Sequence, residues 1–399
     1  MLPTAIAVTT MSTVASATLT APTTFWQMVT PNGIVRSYPV SLGQVLPITT
    51  SPRREAPPTS FIGAVSPLTL QVGSGKIDGG LEARQVEKKM TRRQWLKGAM
   101  LLGFMSAAMP SRQEKLVIIV SIDGGKASAI RRLVQGGKLP NLKRLMDEGS
   151  YTLTAQTVIP SSTAPAHVSM LTGIDYPKRF PDDEAIVNKN EPFDDNRHKP
   201  VDVTTVFEVA KKAGLRTALI AGSGKRIKYV EKPNTLDFAE YLPSDDERLQ
   251  RAMNLLSDPQ KHPNLLFLHL TETDHAGHKF GWGDDAKGIP PSPEYLQALQ
   301  NIDRRIGKLV EALQALRLWE RTLLIVTADH GGIDKNHGGR TPDELTIPWI
   351  ASGGLARKSS MLQIDRTVRV YDTAATALAA LGLPVPSDWD GKPVLEALR

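Results

Sequence analysis

The sequence predicts an α/β domain with a largely parallel central sheet covered by helices on both faces. Apolar runs at Leu116 to Ile122, Thr217 to Ala221, Leu265 to Leu270 and Leu323 to Val326 have the length and unbroken hydrophobicity of strands buried on both sides. Segments with helical spacing near 138–148, 202–213, 293–317 and 367–381 alternate with them, and 347–352 reads as a further strand. The chain has 399 residues, 41% hydrophobic and 22% charged, which suits one sizeable domain from about residue 113 onward.

Several of these runs deliver reactive side chains at their C-terminal ends, the edge where open parallel sheets bind ligands. The first ends at Asp123, followed by Gly124-Gly125. In Pro160-Ser-Ser-Thr-Ala-Pro-Ala-His167, Thr163 precedes a Pro and a helical pattern, so its hydroxyl is expected at a helix N-terminus, where amides and dipole favour an anion. Leu265 to Leu270 leads to Asp274-His-Ala-Gly-His278; four-residue spacing puts Asp274 and His278 on one helical face. Leu323 to Val326 leads to Asp329-His-Gly-Gly332, and His337-Gly-Gly339 follows on a polar loop. Any one of these could be a cap or turn residue. Together, three carboxylates, three imidazoles and a hydroxyl are the donors of a two-metal hydrolase site.

These residues resemble the alkaline phosphatase superfamily, and within it the type I phosphodiesterase/nucleotide pyrophosphatase family. The likeness lies in Asp123-Gly124, the Pro160 to His167 segment with Ser169 to Gly173, Asp274 to His278, and Asp329-His330-Gly331, and it extends over roughly residues 115 to 395. It implies an alkaline phosphatase-like fold and two zinc ions per chain. Asp123, Thr163, Asp329 and His330 would hold one ion, and Asp274, His278 and His337 the other. It also implies hydrolysis through a phospho-threonine on Thr163. Two departures bear on substrate: Ala166 stands where the family usually has Asn, and a later His-Gly-Ile segment leading to a phosphate-binding Asn is not reproduced. Asn188 and Asn190 are the candidates for that Asn.

Ala221-Gly-Ser-Gly-Lys-Arg-Ile-Lys228 is not a phosphate loop of the nucleotide-binding kind, because Leu219 and Arg226 stand where Gly and Ser or Thr are required. It follows a strand, however, and resembles a Ser-x-Lys segment of some phosphomonoesterases. Lys225 is therefore a candidate charge clamp on substrate phosphate. The loop Phe280 to Pro293, which contains Trp282, is expected to wall the pocket.

The formal charge of +7 is scattered, without an aromatic-interleaved basic stripe, so a small phosphate ester rather than nucleic acid is the expected partner. The absence of cysteine excludes disulfides, thiolate-held zinc and a cysteine-derived nucleophile. Residues 1–89, rich in Thr, Ser, Pro and Ala, read as a disordered or mis-assigned upstream segment. Arg92-Arg93, the apolar stretch Gly98 to Met105 and Ser106-Ala-Ala108 read as a twin-arginine export signal starting at Met90, within 90–112. That stretch is far shorter than the ~20 residues of a membrane span, so no stable anchor is expected. The catalytic domain is then 113–399, exported to the periplasm or outside the cell. The closest rival activity is phosphomonoester hydrolysis. From another class, the fold could carry a catalytically idle metal-binding protein. Sequence leaves the oligomeric state open.

Overall fold

The computed structural model describes residues 114–222 and 224–399, together with the backbone of three short strands nearer the N-terminus. The chain divides into two units, Met1–Lys88 and Lys89–Arg399. In the first, β1 (Ile6–Ala7), β2 (Phe25–Val29) and β3 (Val35–Pro39) pair antiparallel. Hydrophobic period assigns no strand there; the sequence between β2 and β3 contains Pro31-Asn32-Gly33, residue types that favour a reversal of the chain. The rest of 1–89 and the signal-like segment 90–112 lie outside the described residues.

The second unit is built on β4 (Leu116–Ile122), β5 (Ser150–Gln156), β6 (Thr217–Gly222), β7 (Phe238–Leu242), β8 (Leu265–Leu270), β9 (Thr322–Ala328), β10 (Thr346–Ser352) and β11 (Ser360–Met361). They form one sheet in the order β11-β5-β10-β9-β4-β8-β6-β7. The five strands from β9 to β7 are parallel, whereas β10 runs antiparallel to both β9 and β5. Every residue of β4, β8 and β9 is buried, as strands covered on two faces require. A Leu→Ala change in this layer would cost about 2–5 kcal/mol.

The connections carry helices α1 (Ala127–Gln135), α2 (Pro140–Glu148), α3 (Thr163–Thr172), α4 (Val206–Lys212), α5 (Asp245–Ser257), α6 (Glu272–Phe280), α7 (Pro293–Ala315) and α8 (Asp372–Leu381). Helices α3, α4 and α8 pack together on one face of the sheet, and α1, α2, α5, α6 and α7 form the other layer. Local chemistry starts them. Ser292 caps α7 through the Tyr295 amide with Pro293 in the first turn, and Ser244 with Glu247 makes a capping box on α5. Tyr295, Leu299, Ile302, Ile306, Leu309 and Leu313 recur at three- and four-residue spacing and form the buried face of α7.

Candidate active site

Strand register brings the ligand candidates to one level. Ile122 of β4 pairs with Leu270 of β8 and with Ala328 of β9, so Asp123, the start of α6 and Asp329 leave three neighbouring strands side by side. Asp329 and His330 are fully buried and Asp123 is nearly so. Asp274 and His278 share one face of α6, as their spacing predicts, and His337 reaches in from the loop after β9.

Carboxylate oxygens divide cleanly into used and unused. Asp329 Oδ1 accepts the amides of Gly124 (3.1 Å) and His330 (2.9 Å), and Asp123 Oδ2 accepts His269 Nε2–H (2.9 Å). Asp123 Oδ1, Asp329 Oδ2 and Asp274 Oδ1 are buried with no hydrogen-bond partner. The imidazoles are complementary. Nδ1–H of His330, His337 and His278 donates to the carbonyls of Gly331 (2.8 Å), Ser161 (3.1 Å) and Lys335 (3.0 Å), which in a neutral ring turns the Nε2 lone pair towards the cleft.

These nitrogens face the unused oxygens. His330 Nε2 lies 3.4 Å from Asp123 Oδ1, 3.3 Å from Asp329 Oδ2 and 3.4 Å from Thr163 Oγ1. Asp274 Oδ1 lies 3.5 Å from His278 Nε2 and 3.6 Å from His337 Nε2, and the two nitrogens are 3.1 Å apart. Wherever neutral rings and ionised carboxylates face one another, their lone pairs repel. A cation between them removes that repulsion, and the edge of a tetrahedron with bonds of ~2.0 Å is ~3.3 Å, matching both groups. Asp123, Asp329 and His330 offer ligand atoms within 4.8 Å of one another, as do Asp274, His330 and His337. His330 thus stands between the two groups, and its ring stacks on His337 at 3.8 Å between centroids. Mixed imidazole and carboxylate donors suit borderline divalent cations better than magnesium.

Electrostatics point the same way. Burial, reinforced by neighbouring carboxylates, pushes Asp123 and Asp329 well above the usual carboxylate range. Burial and then Asp123 bring Asp274 to about 6, while burial and the nearby imidazoles hold His337 down to about 2.

Thr163 is the first residue of α3, and its hydroxyl opens on a cleft of about 520 Å³ shared with Asp123, Asp274, His278 and His337. Its carbonyl accepts His167 Nδ1–H at 2.7 Å, and Ser121 Oγ lies 2.9 Å from the other nitrogen of that ring. The next amide, Ala164 N–H, donates to Asn190 Oδ1 at 2.7 Å. Asn190 lines the cleft; Asn188 is exposed and does not. Lys225 is also at the cleft, in a left-handed backbone conformation (φ 55°), with its ammonium 3.5 Å from Asp195.

Two positioning histidines have no role in the motif reading: His269 lies outside every motif, and His167 only closes the Thr163 segment. His269 orients Asp123 and His167 orients Thr163; burial holds both below the usual imidazole range and so neutral. The available signal for His269 was a lone polar residue inside an apolar strand. Trp282 corrects an expectation, since it does not wall the cleft. It is fully buried beneath the ligands, where its Nε1–H donates to the Gly124 carbonyl at 2.9 Å. A Cβ on Gly277 or Gly332 would come within 2.1 or 2.3 Å of its ring, so both positions need glycine for that close approach.

The family model for type I phosphodiesterase / nucleotide pyrophosphatase matches residues 117–345, more than half of the chain. Human ectonucleotide pyrophosphatase/phosphodiesterase family member 1 is 26% identical over 230 residues, 54% of this chain and 23% of that protein. A bis(5'-adenosyl)-triphosphatase of Bos taurus is 28% identical over 247 residues, 57% of this chain and 49% of that protein. The chain thus spans about half or less of the length of these relatives. Among solved structures, an inactive variant of murine ectonucleotide pyrophosphatase / phosphodiesterase 5 in complex with AMP shares the fold. It has a TM-score of 0.57 at 17% identity, over 72% of this chain and all of that one. A 2-O GAG sulfatase has a TM-score of 0.57 at 14% identity, over 72% of this chain and 74% of that one. With the fold common to phosphodiesterase and sulfatase structures and the family match covering the strands and loops that build the cleft, the chain belongs to the type I phosphodiesterase / nucleotide pyrophosphatase family of the alkaline phosphatase superfamily.

Proposed function

We propose that the protein is an exported two-zinc phosphodiesterase that works through a phospho-threonine on Thr163. The observation that carries this reading is the set of unpartnered Asp123, Asp274 and Asp329 oxygens facing the Nε2 atoms of His278, His330 and His337 beside the Thr163 hydroxyl. Asp123, Thr163, Asp329 and His330 would hold one zinc, and Asp274, His278 and His337 the other. Bound there, zinc supplies Lewis-acid activation of the threonine hydroxyl and of the substrate phosphoryl oxygens.

The chain's own groups account for the rest. Thr163 sits at a helix N-terminus, where phosphate is favoured, and the His167 hydrogen bond fixes its backbone. Asn190 spends its oxygen on the Ala164 amide, which leaves its NH2 group for a phosphate oxygen. Attack by Thr163 Oγ1 forms an O–P bond as the bond to the leaving oxygen breaks; water then cleaves the Thr163 O–P bond and restores the hydroxyl. The names of the relatives, a phosphodiesterase and a bis(5'-adenosyl)-triphosphatase, support diesters and anhydrides of phosphate as the substrate class. A panel of bis-aryl phosphate, aryl phosphate and dinucleoside pyrophosphate tests it, with preference for the first or third expected. No turnover of any would leave the idle metal-binding alternative.

Phosphomonoester hydrolysis is favoured by one feature, the Lys225 ammonium at the cleft, which suits a dianion. If the diester reading holds, Lys225→Ala changes kcat/KM for a diester by less than about tenfold, under ~1.4 kcal/mol. A fall of hundreds-fold on a preferred aryl monoester would establish the rival.

Export rests on Arg92-Arg93 and the short apolar stretch after them. Among the described residues no helix is long and apolar enough to cross a membrane. Expression from Met90 should give a mature protein that begins near Met109 outside the cytoplasm, and replacing both arginines with lysine should retain the precursor. A native N-terminus upstream of Met90 would contradict this.

A further inference from the structure

We infer that the buried pair Asp245–Arg248 on α5 is a positioning device for the metal group formed by Asp274, His278 and His337. This rests on the two-metal reading above. Neither residue lines the cleft, and both are almost fully buried. Asp245 Oδ1 accepts the amide of Thr271 at 2.9 Å, and Oδ2 accepts that of Glu272 at 3.1 Å. Those amides open α6, whose N-cap residue Thr271 makes no side-chain cap bond of its own. A different helix therefore supplies the capping carboxylate.

Arg248 holds that carboxylate in place. One of its nitrogens lies 2.7 Å from Asp245 Oδ1, and Nη2 also donates to Thr271 Oγ1 at 2.9 Å, so the guanidinium ties both sides of the junction together. Its Nε donates to the Ser244 carbonyl at 3.1 Å, within the turn fixed by the Ser244–Glu247 capping box. From α7, Arg305 closes the outer side with bonds of 2.9 and 3.0 Å to Asp246 and an ion pair to Glu272.

The placement has a chemical consequence. Two metal ligands sit on α6, a helix of nine residues, with Asp274 in its first turn. Ligand geometry must hold to within ~0.5 Å, and a frayed first turn would exceed that. Asp329 and His330 instead leave the rigid β9 and need no such cap. A buried ion pair adds little net stability, so its position at the root of a ligand helix is better explained by geometry than by folding energy.

The test is zinc stoichiometry of the full chain, dialysed against a series of zinc buffers. Wild type should hold two ions. In Asp245→Asn one of the two ions should lose at least about tenfold in affinity, the range for groups that orient ligands, while the other changes little. Thr271→Val, which removes only a hydroxyl, should show the same selective loss at smaller size and serves if Asp245→Asn does not fold. In a His337→Ala background, where that group is already broken, Asp245→Asn should leave the remaining ion unaffected. Two ions of unchanged affinity in both variants, or equal weakening of both ions, would overturn the inference alone. A wild-type chain that holds a single ion would overturn the two-metal reading, and this inference with it.

Discussion

Thr163→Ala is expected to lower turnover by on the order of 10⁴-fold or more, ~5.5 kcal/mol, while leaving fold and zinc content nearly intact. The large effect follows from loss of the attacking atom itself. The small one follows from local structure. Thr163 is the first residue of α3 rather than its cap, and its side chain makes no cap bond, so alanine at that place should cost within about 1 kcal/mol. Asp123, Asp329 and His330 remain to hold the ion. Thr163→Ser keeps a hydroxyl at the same place and should retain measurable rate. Circular dichroism, elemental analysis and diester turnover on the three proteins separate a lost nucleophile from a lost fold.

Removing the metal should be equally severe and reversible. Chelation is expected to abolish turnover, with recovery by zinc ahead of magnesium, because imidazole nitrogen disfavours a hard cation. Metal-free protein must also bury carboxylates against one another, so zinc should raise Tm, by about 4 kcal/mol of stabilisation at a free concentration 1,000 times Kd. The dependence on pH has a definite sign. Burial brings the metal-free Asp274 to about 6 and holds Asp123 and Asp329 well above the usual carboxylate range, so below about pH 6 zinc must displace protons and affinity should fall as pH drops. His337, held at about 2, adds no competing proton in that range. Titration of zinc at pH 5 and pH 7 reads the slope directly; affinity independent of pH, or full recovery by magnesium alone, would contradict the account.

The parts of this protein legible in its sequence are those whose signal is local. Asp123, Asp329 and His330 follow unbroken apolar runs, and Asp274 with His278 carries a helical spacing, so strand ends and one helical face announced the cleft. Long-range relations were not legible. The antiparallel course of β10 depends on its neighbours, not on its composition. Trp282 sits in a loop long enough to read as a pocket wall, yet Gly124, Gly277 and Gly332 open a slot for it under the site. Asn190 and Asn188 are equivalent on the page; the left-handed turn at Asn190 (φ 51°) decides which one meets the Ala164 amide. Asp245 caps a helix that begins 27 residues later, a bond that no sequence period encodes.

The most direct test of the central claim is to quench zinc-loaded protein during turnover of bis-aryl phosphate and map the modified residue by mass spectrometry. The predicted result is a single aryl-phosphoryl group on Thr163, formed as aryl alcohol leaves, absent after chelation and absent in Thr163→Ala. Label on Ser161 or Ser162, or undiminished turnover by Thr163→Ala, would contradict it.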